Sequence, residues 1–175
     1  MSLVAVDAAT AADIAVRGMA AADISTLRRY LNDEIADGKA VYYDHERSVT
    51  QFFDWYHARR TAGWPLLVAE RDGEIAGFGT YGLFRPWSGF RPTVEHMLVV
   101  GRAHRRLHVG SALLEALIAR ARGEDRHSMI GVIDSEDDAS LELHAAMQFR
   151  EVGRLPEIGR RDGVWRTHVL MQRIL

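Results

Sequence analysis

Residues 105–114 read RRLHVGSALL: two arginines, a histidine two places on, then Val109-Gly110-Ser111 opening an apolar helical run. A strand ending at Val100, a basic turn and a helix start, in that order, bring free backbone N–H groups and the positive end of a helix dipole beside Arg105 and Arg106. Such a turn suits an anion the size of a pyrophosphate. The same ten residues also suit a solvated turn in which Gly110 serves only close packing, because a lone glycine motif is weak. The flanking sequence decides between the two.

Just upstream, TVEHMLVV (93–100) is β-rich, and PLLVAERDGEIAGFGTYGLF (65–84) is two β-rich runs around Asp72-Gly73, a pair that tolerates positive φ and predicts a hairpin. Downstream, a helix over Gly110 to Arg122 sets Leu113, Leu114, Leu117 and Ile118 in one stripe, with Glu115, Arg120 and Arg122 off it. SMIGVI (128–133) then reads as a buried strand and DASLELHAAMQF (138–149) as a short helix running into the next strand. The final 26 residues, from Arg150, read as two strands turning at Asp162-Gly163. Towards the start, Ile14 to Arg17 is a short strand. Ile24, Leu27, Leu31 and Ile35 mark a first helix with Asp23 as its cap. Ser48 opens a second, carrying Phe52, Phe53, Trp55 and Tyr56 and stopped by Gly63. Strands interspersed with helices in this order imply an α/β fold with a mixed sheet.

Bulk properties narrow the function. With 175 residues the chain is expected to form one domain over 13–175, residues 1–12 being a loose N-terminal extension. Twenty-two Lys and Arg against 24 Asp and Glu leave a formal charge of −2, so neither nucleic acid nor an anionic membrane is expected as a partner. Cysteine is absent, which excludes disulfides, thiolate metal sites and a cysteine nucleophile. The acidic run DSEDD (134–138) lacks the ligand spacing of a calcium loop and reads as a helix start, so no metal is expected. The opening MSLVAVDAATAADIAV has no basic leader region and carries Asp7 and Asp13, which points to a cytoplasmic protein.

Four stretches of the chain resemble one family. RRLHVG is similar to the Q/R-x-x-G-x-G/A pattern of the GNAT N-acetyltransferases, whose loop and helix start hold the pyrophosphate of acetyl-CoA. TVEHMLVV, GVIDSEDDASLELHAAMQF (131–149) and GRRDGVWRTHVLMQ (159–172) resemble the phosphinothricin and methionine sulfoximine acetyltransferase branch, so the likeness runs from about Asp13 to Leu175. It implies a GNAT fold: a mixed, mostly antiparallel twisted sheet of six to seven strands flanked by about four helices. It also implies acetyl-CoA as cosubstrate, held by Arg105, Arg106, His108, Val109, Gly110, Ser111 and Ala112. The backbone of Leu98, Val99 and Val100 would lie along it, with Asp137, Ser140 and His144 on its other side, and the branch commonly forms homodimers. Two residues depart from the pattern. His108 replaces a glycine, which matters if φ must be positive there, and Asp137 replaces an asparagine whose amide can donate.

Acetyl transfer to an amine needs a base for the amine, a donor at the thioester carbonyl and a proton for the thiolate. Glu95 is a carboxylate in an apolar β-run, on the same face as Met97 and Val99, where desolvation raises its pKa. An edge-strand carboxylate facing water is the bland alternative, and the resemblance makes Glu95 the catalytic base. His144, which alone reads as a structural helix histidine, matches the branch's catalytic histidine. The resemblance also implies that the central strand splays from its neighbour, freeing N–H groups near Leu98 and Val100 for the carbonyl. The segment TYGLFRPWSGFRPTVE (80–95) supplies the acceptor side: Arg85 and Arg91 to clamp a carboxylate, Tyr81, Phe84, Trp87 and Phe90 to wall a small side chain, and Val94 beside Glu95. A surface loop of snorkelling arginines is the alternative for any one of these. The expected function is an acetyl-CoA-dependent N-acetyltransferase of a small amino-acid-like amine. Its rivals are a non-catalytic acetyl-CoA-binding module and an enzyme acting on an aminoglycoside or a protein N-terminus.

Overall fold

The computed structural model describes residues 14–37 and 43–175, so the expected loose extension, 1–12, lies outside the described residues. Seven strands form one sheet: β1 (Ile14–Gly18), β2 (Leu66–Arg71), β3 (Glu74–Leu83), β4 (Thr93–Val100), β5 (Ser128–Asp134), β6 (Arg150–Arg161) and β7 (Val164–Ile174), in the order β1-β2-β3-β4-β5-β7-β6. Every neighbouring pair is antiparallel except β4 and β5. Two antiparallel connections are made by the dipeptides the sequence singled out. Asp72 and Gly73 have φ of 53° and 79°, and Asp162 and Gly163 of 49° and 80°. Two successive positive φ values give the turn whose twist matches its strands. The parallel pair instead needs a crossover, supplied by the helix α3 (Val109–Gly123).

The remaining helices are α1 (Ile24–Asp37), α2 (Val49–Thr61) and α4 (Asp138–Ala146). Ser48 opens α2 as expected, through a reciprocal pair: its hydroxyl accepts from Gln51 N at 3.2 Å, and the Gln51 side chain accepts from Ser48 N at 2.9 Å. Asp23 caps differently from the expectation. A 3-10 turn, Ala21–Asp23, precedes α1, and the Asp23 carboxylate reaches back to Ala20 N at 2.8 Å while Arg17 holds it with two further bonds. The carboxylate thus ties β1 to the first helix.

Each sheet face is covered by its own helices. Ile24, Leu27, Leu31 and Ile35 of α1, with Phe52 and Tyr56 of α2, bury against Val68, Phe78 and Val99. Phe53 turns out to solvent, whereas Phe52 and Tyr56 are buried and Trp55 sets its ring against Phe78 of β3. On the other face Leu114, Leu117 and Ile118 of α3 meet Tyr81, Val94, Met129 and Val169. Each large side chain so buried contributes about 1.5–3 kcal/mol. A Cβ at Gly79 would stand 2.8 Å from Leu98 Cδ2 and 3.0 Å from Leu117 Cδ1, so its absence lets α3 lie close to the sheet.

Candidate active site

Among the described residues β4 and β5 pair only at Thr93↔Ser128, Val94↔Met129 and Glu95↔Ile130. Beyond Glu95 the two strands part, and the sheet opens at its centre. Gly101 N donates to the Ala76 carbonyl at 2.9 Å and the Thr93 carbonyl accepts from Phe84 N at 3.2 Å, so the odd-numbered residues of β4 bond to β3. By alternation His96, Leu98 and Val100 turn their peptide groups into the gap. The sequence pattern cannot carry this feature, since spacing gives strand length and not strand divergence.

At the wide end of the gap stands the start of α3. His108 has φ 61° and ψ 7°, a left-handed residue where the family pattern has glycine, and Arg106 is left-handed too, with φ 59°. Histidine therefore adopts the conformation that its position demands. Ala112 N bonds the His108 carbonyl at 3.0 Å, which removes Ala112 from the expected anion-binding donors. The N–H groups of Val109, Gly110 and Ser111 precede the first turn's acceptors and are left open. A Cβ at Gly110 would lie 3.1 Å from Leu143 Cδ2 of α4 and 3.9 Å from Val100 Cγ2, which puts this helix start between β4 and α4, at the mouth of the gap. Arg105 departs from its expected role: its guanidinium is engaged by Glu34 of α1, with Asp37 3.7 Å away. Arg106 has no side-chain partner among the described residues and is the cation left for an anion.

Asp137 proves to be the N-cap of α4, accepting from Ser140 N at 3.1 Å. Asp and Asn cap equally well, so the change from the family pattern keeps the helix and loses only a side-chain donor.

Glu95 faces α2. Its cross-strand partner is Gly82, and a Cβ there would stand 3.0 Å from Arg59 Nη1, so the missing side chain makes room for that guanidinium beside the carboxylate. Burial raises the Glu95 pKa, and Arg85 and Arg59 oppose the rise. Arg59 is a site residue that the sequence reading missed. It donates to the Tyr81 carbonyl at 2.9 Å and lies 5.7 Å from the Trp55 ring centroid. A cleft lined by Leu31, Tyr43, Arg47, Gln51, Phe52, Trp55 and Met97 opens on the same face, since Met97 lies two residues along from Glu95. The only sequence signal for these helix-borne residues was an arginine one turn after a tryptophan, Trp55 to Arg59.

Of the expected acceptor residues, Arg85 approaches Glu95 and stacks 4.1 Å over Phe84, and Phe84, Trp87 and Phe90 form one aromatic group. Arg91 is exposed on the same loop. Tyr81 and Val94 require correction, because both side chains are wholly buried on the opposite face. The Tyr81 hydroxyl bonds Glu124 at 2.9 Å. Strand alternation puts Val94 on the face that Glu95 does not use.

His144 also lies on that opposite face, buried against His96 and Phe149, so the sheet stands between it and Glu95. His104 and His108 stand four apart, but a turn and a left-handed residue separate them, and among the described residues no three His, Cys, Asp or Glu side chains converge as a metal set. A concavity of about 320 Å³ lined by Glu115, Ile118, Ala119, Arg122, Ala146, Met147, Gln148 and Arg173 contains none of these residues.

A central sheet that parts beside an open helix start, with a desolvated carboxylate at the last paired residue, is the architecture of an acyl transferase that draws on a phosphate-bearing donor. The sequence model described as the Acetyltransferase (GNAT) family matches residues 27–149, and the chain belongs to that family of acetyltransferases. It is 35% identical over 158 residues, 90% of this chain and 92% of the relative, to an L-methionine sulfoximine/L-methionine sulfone acetyltransferase of Pseudomonas paraeruginosa. A phosphinothricin N-acetyltransferase of Alcaligenes faecalis is 36% identical over 162 residues, 86% of this chain and 82% of the relative. Among solved structures, a GNAT superfamily phosphinothricin acetyltransferase of Sinorhizobium meliloti in complex with acetyl-CoA matches with a TM-score of 0.89 at 26% identity, covering 93% of this chain and 89% of that one.

Proposed function

We propose that the protein acetylates the amine of a small amino-acid-like acceptor, of the methionine sulfoximine or phosphinothricin kind, with Glu95 as general base. Acetyl-CoA is the cosubstrate, and when bound it supplies the acetyl group as an activated thioester. The open N–H groups of Val109, Gly110 and Ser111, with Arg106, suit its pyrophosphate, and the gap-facing N–H groups of Leu98 and Val100 suit its carbonyl and amides. The acceptor's amine nitrogen bonds the acetyl carbon and sheds a proton, which Glu95 takes directly or through one water, while the carbon–sulfur bond breaks and coenzyme A leaves as a thiolate that solvent water protonates. Arg59 and Arg85 receive the acceptor's anionic group, and Trp55 lies beside Arg59 against the rest of it. The exposed β6–β7 edge is the surface of a homodimer. The protein works in the cytoplasm, as one domain.

The observation that carries this reading is the position of Glu95. A carboxylate held half-buried between two arginines, at the point where the sheet opens, has a raised pKa and a cationic neighbourhood for a zwitterionic substrate. A panel of amino-acid-like amines assayed with acetyl-CoA and thiol detection tests it. Wild-type kcat/KM falls as pH drops through the raised Glu95 pKa, because only the ionised carboxylate is a base. Glu95→Gln loses that acidic limb and about a hundredfold or more in kcat, with cosubstrate affinity by calorimetry unchanged. Wild-type turnover in the Gln variant across pH sinks the assignment.

A further inference from the structure

Three observations meet at the apex of the β4–β5 gap. His96, the first β4 residue beyond the last pair, stacks on His144 with ring centroids 4.9 Å apart and planes within 17°, Nε2 lying 2.9 Å from Nε2. His144 Nδ1 lies 2.6 Å from the Ser140 carbonyl. Gly131 of β5 leaves the room for both rings, since a Cβ there would stand 2.9 Å from His144 Nε2 and 3.0 Å from His96 Nε2.

These contacts fix the protons. A carbonyl only accepts, so His144 Nδ1 carries hydrogen. Burial lowers the affinity of both rings for a proton, holding His96, with His144 alongside, at about 3. At His144 burial outweighs the opposing pull of the Ser140 carbonyl and the Asp137 carboxylate. Phe149, the other ring against both, brings no charge. With His144 neutral its Nε2 is a lone pair, and the hydrogen between the two rings belongs to His96. His96 Nδ1 is then a bare acceptor, buried and without a hydrogen-bond partner among the described residues. Buried acceptors are rarely left so.

We propose that His96 is a positioning residue: its Nε2–H caps His144, committing both nitrogens of that ring, and its own Nδ1 accepts a hydrogen bond from an N–H or S–H donor of the coenzyme A moiety. The inference rests on the acetyl-CoA reading and changes the part expected of His144. With Nδ1 on Ser140 and Nε2 on His96, a neutral His144 has no proton to hand to a thiolate, and it acts as a support.

Histidine ring NMR on the intact, 15N-labelled protein tests this with no acceptor present. The expected spectrum has His144 protonated on Nδ1 and His96 on Nε2, both uncharged over the interval just above the pH at which an ordinary histidine changes charge. Adding saturating coenzyme A shifts the His96 Nδ1 resonance in the direction of a hydrogen-bonded nitrogen and leaves the His144 tautomer as it was. A hydrogen on His96 Nδ1, a charged ring in that interval, or an Nδ1 that ignores bound coenzyme A overturns the proposal. His96→Gln keeps an N–H near the Nε2 position but offers no acceptor for Nδ1, so His144 keeps its tautomer while coenzyme A affinity falls about tenfold, about 1.4 kcal/mol. His96→Leu loses both. If coenzyme A binds with these responses and no amine is acetylated, the reaction reading fails alone. If it binds without them, the His96 proposal fails alone, and if it does not bind at all the cradle reading falls with it.

Discussion

Arg59 is pinned by the Tyr81 carbonyl and Thr80, and no carboxylate among the described residues lies within ion-pair distance of it. Burial weakens its hold on its proton, yet a guanidinium stays charged in a protein. Its geometry is therefore fixed before any ligand arrives, and little ordering cost is left for the binding step. An anionic acceptor group beside Glu95 meets a cation already in place. Arg59→Gln is expected to raise KM about tenfold to a hundredfold for an amino-acid acceptor, the worth of a charge-assisted hydrogen bond at about 1.5–3 kcal/mol. The same acceptor as its carboxamide should lose little. Steady-state kinetics on the pair decides, and an equal loss for both would make Arg59 a purely structural residue. At this scale Glu95 was legible, because alternation in TVEHMLVV fixes its face. His96 and Arg59 were not, because their significance depends on what a distant helix brings opposite them.

Element starts carry the next level of argument. Gly110→Asp sets a carboxylate among the open N–H groups of α3, where it competes with an anionic ligand, so coenzyme A binding should weaken at least tenfold by calorimetry. The Cβ alone presses on the Leu143 methyl at 3.1 Å, a flexible group. Gly110→Ala is thus the control, and its smaller effect isolates the charge. Unchanged affinity in the Asp variant would refute the cradle. At the start of α1 the Arg17 hydrogen bonds outweigh burial and hold the Asp23 carboxyl below the usual carboxylate range. A depressed folded-state pKa gives stability that is present above the unfolded value and lost as pH falls through the folded one. Asp23→Asn weakens the two bonds from Arg17 and should cost about 1.5–3 kcal/mol in urea melts at neutral pH, and the gap to wild type should narrow below about pH 4. A gap that is constant with pH would exclude the carboxylate charge as its source. Element identity was read well from period and punctuation, since Asp-Gly pairs and Ser48 act locally. The 3-10 turn ahead of α1 was missed because Asp23 is fixed there by Arg17 of another element.

On the scale of the whole molecule, the sheet divides the chemistry. Glu95, Arg59 and Arg85 lie on the α1/α2 face, the His96–His144 pair lies on the α3/α4 face, and the central strands part between the two sets. That division was hidden in the sequence, because the parting of β4 and β5 is a relation between two strands far apart in the chain and leaves no mark in either strand's own pattern. The far edge poses a separate problem. Among the described residues β6 is the terminal strand, with one side of its backbone unpaired, and Val152, Ile158, Val164 and Trp165 of the β6–β7 hairpin are each more than half exposed. A long edge carrying apolar side chains invites pairing or aggregation unless it is managed. Pro156 and the register irregularity between Leu155 and Gly159 interrupt the strand, which limits open-ended strand addition. A two-fold contact between hairpin faces would cover the apolar residues without needing a continuous ladder. Sedimentation equilibrium at micromolar concentration is therefore expected to show a dimer. Trp165→Glu, which buries a charge in that contact, should weaken it at least tenfold, about 1.4 kcal/mol, without unfolding a side chain that is exposed in the single chain. A wild-type monomer under these conditions, or a Trp165→Glu variant that dimerises as wild type does, would place the interface elsewhere or remove it.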